Sequence, residues 1–590
     1  MLASCALLSA CNDDDETQPT VVIPVEQTPK SISLEKIGHF ATGVFDASAA
    51  EIPAFDPASK RGFVVNAQKG AIDVLDLSNP ATPKFIQSLD ATAIAANAVV
   101  NSVAIHNGIV AVAIESSPKT ANGFVGFYKA SDLSLISSIG VGALPDMLTF
   151  TPDGKTVLVA NEGEPSDDYQ IDPEGSISVI NVNDITKPSV RTADFKAWNG
   201  KEAELRVKGV RIFGPKANAA QDFEPEYITV SEDGQTAWVA LQENNALAKI
   251  DIANATVTDI LPLGFKDHGI ANNAMDASDE DNQINIQAWQ GVRGLYLPDA
   301  ISSYRVNGKT YIVTANEGDA RAWGENNDAY WAGDASKGFV EEFRVKHLVH
   351  KDGFERRKGD DLPPQLQALA NGAELNPVTF GYCGATADGD AGDCRSDTML
   401  GRLNITWTEG YQKKSDGSPK LNDRGNLVYD HLYSFGGRSF SIWDENGQLV
   451  WDSGAEFEHT IAKDFPQFFN SGHDELALDS RSDAKGPEPE GIALGKLGNK
   501  TFAFVGLERM GGVMVYDISN PTKPVFVQYI NTKNFDLTDE ALIETDAAGD
   551  LGPEGLVFIA AKDSPNGKPL LMMSSEVSGT TAIFQIQQTF

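Results

Sequence analysis

Cysteine is scarce in this chain of 590 residues: there are four, two of them within the first eleven positions. The other two, Cys383 and Cys394, are too few for a structural zinc module, and no cysteine–histidine cluster surrounds them. Histidine numbers only eight and is scattered. Neither GxSxG nor HExxH occurs, so the motif-bearing serine hydrolases and zinc proteases are excluded. Basic residues are also short, 47 against 83 acidic, for a formal charge of −36. That surface repels nucleic acid and anionic membrane, which rules out nucleic-acid binding as the main role. No apolar run is long enough to span a bilayer, and helical periodicity is almost absent outside a few long intervening segments.

What is present is a repeat. Six short apolar runs end at a carboxylate: Ala111–Glu115, Val157–Glu162, Ala237–Glu243, Tyr311–Glu317, Phe502–Glu508 and Leu570–Glu576. In five of them a second acid stands 16 to 22 residues upstream, just before an apolar residue: Asp146, Glu226, Asp299, Glu490 and Glu554. A unit recurring at fixed length identifies architecture before any local reading does.

The unit reads as a propeller blade. From Leu144, LPDMLTF is a strand, TPDGK a turn, TVLVANE a second strand and GSISVINV a third. Asp153-Gly154, the SEDGQ turn at Asp233 and the VNGK turn at Asn307 are hairpin signals. Proline-bearing exits recur after Asp76, Asn183 and Asp517, where a strand ends and the chain crosses over. Seven units fall near 50–90, 101–140, 144–191, 224–262, 297–455, 488–530 and 552–588. The first is the weakest, with Glu51 at the upstream position and Asn66 where the others have Glu. The expected fold is all-β, a seven-bladed β-propeller over 31–590, its ring closed by an N-terminal strand, SISLEKIGHF from Ser31, added to blade seven. A pair of β-sandwiches is the alternative, but sandwiches do not repeat a motif at blade period. Insertions are expected near 192–222, 264–296 and 320–430.

Residues 1–11 end in Leu8-Ser9-Ala10-Cys11, small residues before a cysteine after an apolar stretch, which resembles a bacterial lipoprotein signal with Cys11 lipidated. Residues 12–30, acidic and then Thr/Pro-rich, read as a tether. The expectation is an exported lipoprotein of the cell envelope, facing the outer membrane or periplasm. Export suits a disulfide between Cys383 and Cys394. The loop they close carries Asp388, Asp390 and Asp393, a candidate calcium loop or a solvated acidic turn. In the second insertion Asp279 and Asp281 offer hard oxygen ligands.

The innermost strands of a propeller line its channel. The upstream acids Asp146, Glu226, Asp299, Glu490 and Glu554 are expected to ring one mouth, with Glu162, Glu243, Glu317, Glu508 and Glu576 around them. Carboxylates that close need protons or cations between them, and calcium, with flexible coordination by six to eight oxygens, is the expected ion. The plainer reading is that these acids cap blade turns, since a fold device repeats and a catalytic site usually does not. Arg293, Arg321, Arg438 and Arg509 flank the acid segments as candidate phosphate donors. His268 and His473 each adjoin an Asp in a Gly-containing turn. Glu317, Glu490 and Arg321 are the candidate catalytic residues, because Asn316-Glu317-Gly318-Asp319 and Arg321 gather at the root of the largest insertion.

The segments LPDMLTFTPDGKTVLVANEGEPS, LPDAISSY, YIVTANEGDAR, SFGGRSFSIWD, GPEPEGI and GPEGLVFI resemble the choice-of-anchor I propeller proteins, relatives of animal mesenchyme-specific cell-surface glycoproteins. The resemblance implies export and attachment to a surface. Some members carry the name alkaline phosphatase, and β-propeller phytases hold phosphate with calcium and basic residues at an acidic channel mouth. Two functions follow as expectations: a calcium-dependent phosphoester hydrolase, or a surface binding scaffold without catalysis.

Overall fold

The computed structural model describes residues 27–349, 362–415, 417–537 and 542–590. Cys11 and the first eleven residues lie outside them. Seven four-stranded antiparallel sheets follow one another along the chain. In the third, the strands are Pro145–Phe150, Thr156–Asn161, Ser176–Asn181 and Ser189–Asp194, in that order. Its two middle strands are packed on both faces, with Val157 to Ala160 fully buried. Its outer strand is exposed at five of six positions. Burial on both faces is why the second strands read as unbroken apolar runs rather than as alternation.

The first strands pack against one another in chain order. Pro53–Asp56 meets Val99–His106, then Pro145–Phe150, Pro225–Val230, Ile301–Val306, Pro489–Leu497 and Pro553–Ile559, and the last of these packs against Pro53–Asp56 again. This is the arrangement of a β-propeller, with the first strand of every sheet innermost. Ser31–Ala41 pairs antiparallel with Thr580–Thr589, so both ends of the described chain share the last sheet. Its register slips between Lys36 and Gly38. A Cβ at position 38 would stand 2.0 Å from the Pro80 carbonyl, so the slip is built where only glycine fits.

Two insertions form one body. Strands Phe265–Asp267 and Val292–Leu295 from the first join Leu432–Ser434, Asn404–Thr406 and Glu342–Arg344 in a five-stranded sheet. They share a core that includes Trp289, Tyr330, Phe343, Phe380 and Tyr429. The Cys383–Cys394 disulfide lies in that core. Segment 192–222 folds separately, with helix Glu202–Lys208 packed between the third and fourth sheets.

Candidate acidic channel mouth

Four of the first strands open on proline and an acid, and the acid falls where the ladder slips. Register shifts separate Pro145 from Leu148, Pro225 from Ile228, Pro489 from Ile492 and Pro553 from Leu556. Asp146, Glu226, Glu490 and Glu554 sit in these bulges, which re-aim a side chain out of the sheet's alternation. In the second sheet the same shift brackets Asn101. Two residues before the acid the backbone is left-handed in four sheets, at Leu144, Leu297, Glu488 and Gly552. Three of these are not glycine, and a left-handed L-residue costs roughly 1–2 kcal/mol, strain of the kind concentrated at functional sites.

The second acid of each pair is fixed one step past the ladder. The Glu162 amide donates to Leu144, that of Glu508 to Glu488 and that of Glu576 to Gly552, each at 2.8 Å. The residue before it is often a buried amide. Asn161 Nδ2 donates to the Ser178 hydroxyl at 3.0 Å, and Asn316 Nδ2 to that of Ser441 at 2.8 Å.

A cavity of about 400 Å³ lies at this end of the channel, with residues in or flanking the strands of all seven sheets on its wall. Asp146, Glu162, Glu226, Asp299, Glu317, Glu490, Glu508 and Glu554 all line it, with Asp319, against two cations, Lys485 and Arg509. Asp299, Glu317 and Glu490 each bring an oxygen within 4.8 Å of the others, as do Glu317, Glu488 and Glu508, and Glu51, Glu554 and Glu576. Glu243 stands beside the cavity. Burial, reinforced by Glu243, Glu162 and Asp299, holds Glu226 well above the usual carboxylate range. Burial does the same to Asp299, Glu490, Glu554 and Glu162, with neighbouring acids adding to it. Asp146, Glu243 and Glu508 are pushed up to about 7 and Glu51 to about 8, again by burial first. Oε2 of Glu226, Glu243, Glu490 and Glu554 is buried and meets no hydrogen-bond donor, and Glu226 is only 8% exposed.

The other end of the same strands is different in kind. A cavity of about 390 Å³ there is lined by Ala104, Thr149, Thr151, Thr229, Ser303 and Ile492 among others, with no acid. Met147 and Tyr227 line both cavities.

Cations gather on one wall. Lys485 Nζ lies 2.7 Å from Glu317 Oε1 and 3.1 Å from Glu488 Oε2. Gln242 donates to the other Glu317 oxygen at 2.8 Å. Arg481 and Arg509 also hold Glu488, at 2.5 and 3.1 Å, which keeps that carboxyl well below its usual range despite burial. His473 Nδ1 meets Arg509 at 2.6 Å. Sequence reading misses Lys485, Arg481 and Glu488. Arg481 and Lys485 lie on an irregular segment ahead of the sixth unit, and Glu488 is the first acid of GPEPEGI, so the basic pair just upstream of that motif is the one signal the sequence offers.

Arg321 is corrected. It is 3% exposed and turned away from the cavity, with Nη1 at 2.9 Å from Asp222 and Nη2 at 3.0 Å from Glu224. Two buried carboxylates already claim it, so it has no donor to offer a ligand. Arg293 stacks on Phe265 at 3.9 Å and bonds the Tyr433 hydroxyl. Arg438 is buried against Glu458 and backbone carbonyls. Of the four arginines only Arg509 reaches the mouth. Asp279 accepts Arg402 at 2.8 and 2.5 Å, and Asp281 accepts from Gln283 and Asn285. Neither joins the channel cluster. Asp388 accepts from the Thr386 hydroxyl and Asp390 from the Gly392 amide, so both shape a turn. His268 is buried, with Nδ1 2.7 Å from the Asn273 carbonyl.

The choice-of-anchor I domain model matches residues 51–521. The chain belongs to the choice-of-anchor I family. Within the curated proteins it is 26% identical over 431 residues to a mesenchyme-specific cell surface glycoprotein of Strongylocentrotus purpuratus, covering 68% of this chain and 49% of that protein. It is 31% identical over 199 residues to gigasin-3a of Magallana gigas, covering 32% of this chain and 66% of that protein. The chain thus spans about half the length of the first relative and under two thirds of the second. Among solved structures, the β-propeller domain of Myceliophteria thermophila Cps50 (Swd1) aligns at TM-score 0.41 and 6% identity, over 94% of this chain and 100% of that one, too loose a fit to bear on function.

Proposed function

We propose that this choice-of-anchor I protein is an exported, surface-attached propeller of seven blades in a closed ring, and that its acidic channel mouth holds calcium. Asp299, Glu317 and Glu490 form the core of the site, with Glu226, Glu554, Asp146, Glu162, Glu243 and Glu508 around it. The observation that carries this reading is the set of buried carboxylate oxygens without a donor on the mouth's wall, led by Glu226 and Glu490. A buried acceptor with no partner costs about 1–3 kcal/mol, and a hard cation of flexible coordination removes that cost for several at once. Surface attachment is supported by the name of the S. purpuratus relative, and the sequence around Cys11 supports a lipid anchor.

Calorimetric titration of the purified chain with calcium tests the site. Binding is expected, and it should vanish in the double variant Asp299→Asn/Glu490→Gln. A wild-type chain that takes up no calcium overturns the proposal.

A second reading, phosphoester hydrolysis, is favoured by one feature: Lys485 and Arg509 stand on the same cavity wall as the carboxylates. Calcium would supply charge to a phosphate ester there, and these two cations would hold its oxygens. Phosphatase activity dependent on calcium and lost in Glu317→Gln supports hydrolysis. Calcium binding without such activity leaves a surface binding scaffold.

A further inference from the structure

The mouth has two unlike walls. Asp146 and Glu162, on or just past strands of the third sheet, and Glu226, on the first strand of the fourth, all line the cavity. None of these three side chains is ion-paired among the described residues. Lys485 and Arg509 flank the strands of the sixth sheet, across the channel from the third. Glu226 is the sharpest case on the acid wall. It is 8% exposed, and its buried Oε2 has no hydrogen-bond partner among the described residues. Asp299, Glu317 and Glu490 bring oxygens close enough to share one ion, but Glu226 joins no such trio among the described residues. A proton on Glu226 Oε2 would only turn an unmatched acceptor into an unmatched donor. A buried charge needs a partner, and here the partner must come from outside the chain.

Each wall asks for a different ligand group. The acid wall asks for positive charge that carries its own N–H donors, which is a primary ammonium. A quaternary ammonium has the charge without the donors. The cationic wall keeps donors to spare. A lysine ammonium has three, and Lys485 spends two, on Glu317 and Glu488. An arginine has five, and Arg509 spends three, on Glu488, His473 and Glu508. Two cations, with calcium beside them, match a doubly charged anion better than a single carboxylate, and phosphate oxygens fit their remaining donors. A cavity of about 400 Å³ is large enough for a small molecule with both ends.

We propose that the ligand of the mouth is an aminoalkyl phosphate, its ammonium seated on Glu226 on the wall that Asp146 and Glu162 share, and its phosphate against Lys485 and Arg509. This inference rests on the mouth being a ligand site, as the calcium reading does, and adds the chemical class of the ligand. Glu226 then selects for the amine and Lys485 for the phosphate, so the two ends are separable by mutation.

Two phosphonates that no phosphatase can cleave test this on the full chain by calorimetry, with calcium and with chelator. 2-Aminoethylphosphonate and ethylphosphonate differ only in the ammonium. The wild type should bind the first at least about tenfold more tightly, the margin of a charge-assisted hydrogen bond. Glu226→Gln should remove that preference, and Lys485→Met should weaken both probes while keeping their ratio. Should Glu226→Gln fail to fold, Asp146→Asn, a change at a half-buried position, should shrink the preference instead. Equal affinity for the two probes in the wild type, binding of neither, or a preference that survives both Glu226→Gln and Asp146→Asn overturns the proposal. A chain that prefers the amine yet takes up no calcium sinks the calcium reading and supports this one. Co-sedimentation with phosphatidylethanolamine vesicles, and not with phosphatidylcholine ones, would identify the ligand as a lipid headgroup; binding of the free probe without vesicle capture would identify a soluble one.

Discussion

Two Glu-Pro-Glu segments, 224–226 and 488–490, enter the fourth and sixth sheets, and within each the two acids meet opposite fates. Glu224 lies 3.0 Å from Arg321 and Glu488 is held by Arg481, Lys485 and Arg509. Two residues on, Glu226 and Glu490 face the channel with an oxygen that meets no donor. The chemistry of the side chain is identical; the difference lies in the backbone. The bulge after each proline turns the second acid into the channel, while the first stays buried beside a cation. An acid's role is therefore set by which charge its strand geometry lets it meet. The first acid of each pair is structural, and the second is free for a ligand.

The largest test of that contrast is Arg321→Met. It strands Asp222 and Glu224 in the interior, and removing one partner of a buried ion pair costs about 3–5 kcal/mol. Denaturant unfolding should show that loss equally with calcium and with chelator. A loss that calcium restores would place Arg321 in the ligand system rather than the scaffold.

The converse change comes next. Glu490→Gln keeps shape and removes one charge at the mouth. Wild-type protein should gain about 2.7 kcal/mol at a hundredfold calcium excess over the dissociation constant, and the variant should lose most of that gain. In chelator the variant should be as stable as the wild type, because the charge removed has no internal partner. Glu488→Gln should behave the other way, destabilised in chelator because Arg481, Lys485 and Arg509 each lose a charged partner. Identical responses from the two glutamates would dissolve the distinction.

Proton and calcium compete for the same oxygens, which gives a third expectation. Asp146, Glu243 and Glu508 are raised to about 7 and Glu51 to about 8 by burial, whereas an unfolded carboxyl titrates near about 4. Between about pH 4 and 8 the calcium-free folded chain keeps protons that the unfolded chain has released. Its stability from these groups is therefore complete below the unfolded pKa and lost as pH rises through the folded values. Calcium replaces those protons. The gap between melting points with and without calcium should thus widen from about pH 5 to 8, and a constant gap would mean the acids are not the binding groups.

Much of this was legible in sequence because repetition amplifies weak local signals. Five proline–acid entries and the Asp-Gly turns place most of the sheets, and the pairing of Ser31–Ala41 with the last strand follows from an alternating segment left without a sheet. The ring of acids was visible for the same reason. Arg321 was misread because proximity in sequence to Glu317 does not say which way a side chain turns. Gly318, left-handed with φ of 101°, reverses the chain, and Arg321 ends against Asp222, 99 residues away. Lys485 was missed because its partners are 168 residues away and three residues away, and neither spacing repeats. The shared sheet of the two insertions rests wholly on such distant pairings, for which single-sequence periodicity carries no signal.

The smallest effect belongs to a third kind of acid, the turn cap. Asp233 and Asp517 do what the plainer reading expected of the channel acids. Asp233 accepts from the Ser231 hydroxyl at 2.7 Å and the Gln235 amide at 3.1 Å, and Asp517 from the Ser519 amide at 3.1 Å. Both carboxyls are lowered rather than raised, because donors on their own turns stabilise the charged form. Asp517→Asn should cost about 1 kcal/mol, the net worth of a hydrogen bond, and the cost should be the same with calcium as with chelator. Thermal melts in both conditions measure it. If the change instead altered the calcium response, the turn caps and the channel acids would belong to one system, and the bulge that separates Glu490 from Glu488 would lose its meaning as the dividing device.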